Sequence, residues 1–327
     1  MELQLILDNL LQPPILFFAL GMVAVSVKSN LEIPEPLTKL FSLYLLLAIG
    51  FKGGVKLAAG GFHLESLAAV AAGLLLASLV PLYSFFIMRR RIDVATAAAI
   101  SATYGSVSAV TFLTTMTFLT RLDLPFGGHM VAVMALMELP AIILGVMLYR
   151  RFVPQLENAA VRKRELVHES LTNSSVFLLL GSMVIGLLSG SRGWEAMSPF
   201  TDSLFQGMLC FFLLDLGILA ARRLQDLFDA GAFLIGSAIV LPVCNGLLGL
   251  TTARLFGLVA GDAILLAILA GSASYIAVPA AMRQAIPEAK HATYVAMALA
   301  LTFPFNIALG IPLYTWLAGI VWGFAPG

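Results

Sequence analysis

Long apolar stretches, separated by short polar or Gly/Pro-rich breaks, run along the chain at 13–27, 37–57, 67–88, 93–119, 129–149, 175–190, 203–221, 231–256, 262–285 and 292–320. A bilayer core ~30 Å thick takes about 20 apolar residues per helix, so the pattern predicts an all-α membrane protein with about ten transmembrane helices. The longest polar stretch, 150–174, separates two sets of five. We therefore expect a first five-helix unit over 1–149, a linker over 150–174 and a second five-helix unit over 175–327. Five is odd, so the second unit starts from the opposite side of the membrane, and related units would be inverted repeats.

Short motifs recur in corresponding spans. GSVSAV at 105–110 in span four matches GSASYI at 271–276 in span nine. Spans five and ten also run in parallel: His129 with His291, Pro140 with Pro304, Gly145 with Gly310, and a closing Leu-Tyr in each. Agreement in order supports two inverted five-helix repeats.

Spans four and nine carry small polar residues at mid-membrane: Ser101, Thr103, Gly105, Ser106, Ser108 and Thr111 in one, Gly271, Ser272, Ser274 and Pro279 in the other. One reading is close helix packing, which Gly and Ser permit. The other is that both helices break at G-S-x-S and leave unpaired backbone groups beside a cavity. Half-helix N-termini then suit an anion, and freed carbonyls and hydroxyls suit Na+. On the second reading Gly105, Ser106, Val107, Ser108, Ala109, Gly271, Ser272, Ala273, Ser274 and Tyr275 are candidate substrate-binding residues. Ser101, Thr103, Thr111, Glu138 and Asp215 are candidates for the coupling cation. Glu138, in MELPA, and Asp215, in FFLLDLGI, are carboxylates within apolar spans, where ionisation costs at least ~2.5 kcal/mol without a partner. A structural alternative is a helix-to-helix hydrogen bond, for Asp215 beside Lys52.

The remaining polar residues have plainer readings. His63, His129, His168 and His291 sit at span ends or in the linker, as interfacial or solvated imidazoles without a catalytic role. Tyr104 and Tyr275 flank the two motifs. Asp93 and Asp262 suit helix N-termini.

Composition narrows the function classes. Sixty per cent of residues are hydrophobic and 11% charged, against roughly a quarter charged in a soluble domain. A net charge of +1 argues against a nucleic-acid partner. Cys210 and Cys244 lie in apolar runs and read as small buried hydrophobes, with no metal site and no cofactor beyond a possible Na+. The N-terminal sequence lacks a basic leader and a small-residue cleavage site, so its apolar run is expected to stay as a membrane helix. Lys52, Lys56, Arg121, Arg192 and Arg254 fall on one side of the predicted topology and the remaining 14 of the 19 basic residues on the other. Basic residues favour the cytoplasm, which places the linker there and both termini outside, in a multi-pass protein of the cell's inner membrane.

The paired breaks, MELPA, SYIAVPAAMRQAIP and GIPLY together resemble the sodium-dependent bicarbonate transporter family first described in cyanobacteria, over nearly the whole chain. The resemblance implies two inverted five-helix repeats arranged as gate and core domains, broken crossing helices that hold substrate, a homotrimer, and an elevator-like transport cycle. GSVS at 105–108 matches the family's G-x-V-S, Thr111 a family threonine, and Glu138 the aspartate of its D-I-P-A. Ser272, Ser274 and Pro279 match the second motif. Tyr275 stands where that motif has aspartate, and Ala277 and Val278 replace its Ser-Gly, which leaves the anion and the Na+ stoichiometry open. The linker is shorter than in cyanobacterial members, which leaves binding of a PII-like regulator open. The expected function is sodium-coupled uptake of bicarbonate or another small anion, not enzyme catalysis. A cation/proton antiporter would need a titrating acid within the crossing helices, and spans four and nine have none at mid-span. An intramembrane serine protease would need Ser and His within hydrogen-bond reach, against the peripheral histidines.

Overall fold

A computed structural model describes residues 3–61, 63–153 and 174–325, and among these no strand occurs. Every predicted apolar stretch forms helix, and those at 93–119 and 262–285 are each broken into two. The helices are α1 (Leu3–Leu10), α2 (Pro13–Ser26), α3 (Glu35–Gly60), α4 (Leu64–Met88), α5 (Val94–Gly105), α6 (Ala109–Arg121), α7 (Met130–Phe152), α8 (Ser174–Ser198), α9 (Phe205–Asp229), α10 (Ala232–Leu255), α11 (Ala260–Gly271), α12 (Ala277–Ala285) and α13 (His291–Trp322). Helix α1 precedes the first predicted span and was not expected. Positions 154–173 of the predicted linker lie outside the described residues.

Seven helical stretches among the described residues are long and apolar enough to cross a membrane. Their outer faces carry bare leucines, with Leu64, Leu188 and Leu255 each at least 80% exposed. Water would not tolerate that much apolar surface, whereas lipid does.

The helices pack in two groups. In one, α2 lies against α9 and α3 against α8, with α9 also touching α3. Glycines set the separation: a Cβ on Gly21 would meet the backbone of α9 near Gly217, and one on Gly54 would meet the Met183 carbonyl of α8. In the other group α4, α5 and α7 contact one another, α10 and α13 flank α11, and α11 touches α6. Helices α5 and α11 form its centre. Residues 95–105 and 261–271 are buried throughout, and small side chains such as Ala97, Ala98, Ala99 and Ala267 let neighbouring helices approach closely. Gly54→Val should push α3 from α8 and cost about 1–3 kcal/mol, as overpacking does. The purified variant should unfold at a lower temperature. Parental thermal stability would show that this contact yields freely.

Helix α13 does not run as a uniform α-helix. Pro304 lacks an amide donor, and π-helical turns at Met297–Thr302 and Asn306–Gly310 absorb the shifted ladder on either side of it.

Candidate functional site

The break between α5 and α6 follows from its residues. Gly105 packs so closely on Pro81 of α4 that a Cβ would strike the proline ring. Ser106 is extended, with φ −93° and ψ −170°. Ser108 then restarts the helix: its hydroxyl accepts from the Thr111 amide at 3.2 Å and from the Thr111 hydroxyl at 2.8 Å. A serine N-cap of this kind satisfies an amide that the new helix would otherwise leave bare.

The break between α11 and α12 repeats the logic. A Cβ on Gly271 would meet the Pro242 carbonyl of α10 at 2.9 Å. Ser272 is extended, and the Ser274 hydroxyl accepts from the Val278 amide at 3.2 Å. Pro279 falls in the first turn of α12, where a missing amide is harmless. Both G-S-x-S sequences thus end one helix and cap the next.

The two breaks are joined by reciprocal hydrogen bonds. The Ser108 amide donates to the Ser272 hydroxyl at 2.8 Å, and the Ser274 amide donates to the Thr103 carbonyl at 2.9 Å. Between them and the first helix group lies a small cavity. Val107, Ser108, Ala109, Glu138, Ser274 and Tyr275 form its polar side, and Leu45 and Leu46 of α3 with Phe212 of α9 form an apolar wall. Its volume of about 60 Å³ compares with the roughly 10–15 Å³ one water needs, so it admits a small ion with a few waters.

The N-termini of α6 and α12 both open on this cavity, since Ala109, Val110, Ile276 and Ala277 line it. Each brings partial positive charge from its aligned peptide dipoles. Glu138 faces the same space, half-buried, and among the described residues no hydrogen bond or ion pair reaches its carboxylate. The Tyr275 hydroxyl is buried without a hydrogen bond of ordinary geometry, although Ser108 is its polar neighbour. Fixed positive helix ends beside an unpaired carboxylate offer separate attractions to an anion and to a cation.

Other predicted site residues stand further back. Ser101 turns its hydroxyl onto the Ala98 carbonyl, and the Thr103 and Ser106 hydroxyls are buried without partners. Asp215 accepts from the Thr38 hydroxyl at 2.9 Å and does not line the cavity. Its suggested partner Lys52 pairs instead with Asp202. Two positions drew no notice in the sequence. Ser42 of α3 lines the cavity, and Asn306 of α13 donates to the Gly271 carbonyl at 2.8 Å at the second break. Asn306 had a readable signal, an amide inside an apolar span.

Three plainer expectations need correction or refinement. His129 is 9% exposed, not solvated, with Nε2 3.1 Å from the Asp262 carboxylate but off the hydrogen-bond direction. Asp262 stands in the first turn of α11 without capping it and accepts from the Gly127 amide instead, whereas Asp93 caps α5 through the Thr96 amide. His63 is exposed and His291 contacts the Tyr294 hydroxyl at 2.9 Å; His168 lies outside the described residues. The cysteines are free, but Cys210 is half-buried and Cys244 exposed. Apolar sequence in a membrane helix does not distinguish a face toward protein from one toward lipid.

A family model, that of the Na+-dependent bicarbonate transporter superfamily, matches residues 13–319. No curated protein matches the chain.

Proposed function

Because the chain belongs to the Na+-dependent bicarbonate transporter superfamily, we propose that it is a secondary active transporter coupling Na+ to uptake of bicarbonate or another small anion. The observation that carries this reading is the reciprocal bonding of the two breaks, which brings two helix N-termini and an unpaired carboxylate to one cavity. The helix ends bind the anion through amide donors and dipole charge. Glu138 and the Leu136 carbonyl that Pro140 leaves without its helical donor hold Na+.

The same reading takes the chain as two inverted five-helix repeats, and the matched packing supports it. Gly105 abuts Pro81 of α4, and Gly271 abuts the Pro242 position of α10; α4 and α10 are the third spans of their units. First span packs on seventh and second on sixth, α2 with α9 and α3 with α8, as a pseudo-two-fold axis would pair them. The α2, α3, α8 and α9 group is then the gate domain and the remainder the core. An elevator-like cycle fits a site whose polar groups belong to the core while the facing wall is Leu45, Leu46 and Phe212, because apolar side chains make no directional bonds to break during sliding.

The test is thermal stability of the purified protein with bicarbonate, small carboxylates or sulfate, each with and without Na+. A ligand at 100 times its Kd adds about 2.7 kcal/mol to the folded state. One small anion should raise the unfolding temperature, and Na+ should enlarge that rise. Identical temperatures in all conditions would overturn the proposal.

Orientation completes it: the linker lies in the cytoplasm and both termini outside, on the distribution of Lys and Arg, and the family resemblance adds a homotrimer in the inner membrane. Single cysteines placed at 155–170, in a background without Cys210 and Cys244, should resist a membrane-impermeant thiol reagent in intact cells. Ready labelling would reverse the topology.

A further inference from the structure

Five basic residues lie on the side that the distribution of Lys and Arg disfavours, and three of them, Lys52, Lys56 and Arg121, converge on one cavity of about 390 Å³. Within its lining only Asp202 offsets them. Lys52 is paired with Asp202 and also lies over the Phe205 ring at 4.6 Å. Lys56 and Arg121 are exposed, and among the described residues neither has an ion-pair partner. Lys56 instead rests on the Phe126 ring, 3.8 Å from its centroid, which holds the charge at the wall without neutralising it. The cavity's own lining therefore carries more positive than negative charge, and Asp262, which lines a neighbouring cavity with Lys56, acts on Lys56 from outside that lining.

This basic cavity leads toward the central one. Leu113, 2% exposed, lines both. The face of α6 that carries Leu113 continues through Met116, Thr117 and Thr120 to Arg121, a path of roughly 12 Å at 1.5 Å per residue. The two cavities thus share Leu113 as a common wall, and Arg121 stands at the far end of this face of α6.

We infer that this cavity is an anion-collecting vestibule in which Lys56 and Arg121 concentrate the transported small anion before it passes Leu113 to the broken helices. The inference deepens the proposed function and rests on it for the identity of the cargo, but anion enrichment in the cavity stands on the charges alone. A cleft lined by one sign of charge raises the local concentration of the opposite ion and its on-rate by about 10–10³-fold, and salt screens the effect. That gives a reason for three cations to stand where orientation disfavours them.

Trp194 lines the cavity and reports on it directly. Quenching of its fluorescence by iodide, caesium and acrylamide is measured on the full chain in zwitterionic nanodiscs, with Trp194→Phe subtracting the other tryptophans. At low ionic strength the iodide constant of Trp194 should exceed the caesium constant several-fold. It should fall at least two-fold in a Lys56→Gln/Arg121→Gln double variant while the acrylamide constant is unchanged. Lys56→Glu/Arg121→Glu should reverse the iodide-to-caesium preference, and unaltered acrylamide quenching excludes misfolding. In transport, the double variant should lose about three- to ten-fold in kcat/KM for the anion, mostly through KM, with the half-saturating Na+ concentration unchanged. Equal iodide quenching in parent and double variant overturns the vestibule even where the parent transports an anion. Enriched iodide in a protein that moves no anion leaves the vestibule standing and overturns the proposed function.

Discussion

Leucine at Ser274 should abolish anion uptake, and leucine at Ser108 should do the same, while both proteins still reach the membrane. Each serine sits at the meeting of the breaks: the Ser108 amide bonds the Ser272 hydroxyl, and the Ser274 amide bonds the Thr103 carbonyl. Each hydroxyl also caps the helix that follows. Losing a cap costs about 0.5–2 kcal/mol, which a closely packed helical membrane protein tolerates. The transport loss comes instead from volume and polarity, because an isobutyl group enters a cavity of about 60 Å³ and removes a hydroxyl from it. Uptake per amount of membrane-inserted protein should fall below a tenth of the parent's, and Ser274→Ala, which adds no bulk, should retain part of it. Normal uptake by both leucine variants would move the site elsewhere.

Glu138→Gln should weaken the response to sodium by ten-fold or more, and Glu138→Asp should retain part of it. The carboxylate faces the cavity unpaired, and Pro140 withholds the amide that the Leu136 carbonyl would otherwise receive. A lone carboxylate at this depth is costly without a counter-ion, and a bound Na+ supplies one. Glutamine keeps the shape and removes the charge; aspartate keeps the charge and shortens the reach. The readout is the sodium concentration giving half-maximal uptake. If the glutamine variant keeps full uptake and the parent's sodium dependence, Glu138 is a packing residue, and the coupling role passes to Asp215. A parent driven by a pH gradient and indifferent to sodium would make Glu138 a proton carrier.

The two helix breaks were legible in the sequence, and the residues packed around them were less so. G-S-x-S, a capping hydroxyl three or four residues before an amide, and Pro279 in a first turn are local features, and local chemistry fixes them. The partners across the cavity are not local: Ser42, Leu45 and Phe212 come from other helices, and choosing which face of an almost wholly apolar helix turns inward requires the packing itself. The Lys52 pairing failed for the same reason. Asp202 and Asp215 are both acids in the same stretch, and only the approach of α3 to the start of α9 selects Asp202. The π turns of α13 were hidden because one proline can be absorbed by a kink, a break or a widened turn.

The most direct measurement is uptake of labelled bicarbonate, at mildly alkaline pH, by proteoliposomes holding the purified chain under an inward Na+ gradient. Label should accumulate above equilibrium while the gradient lasts, collapse when an ionophore dissipates it, and fail to accumulate with Ser274→Leu. Uptake by the parent at the same rate with K+ in place of Na+, or equal uptake by the Ser274→Leu variant, would contradict it.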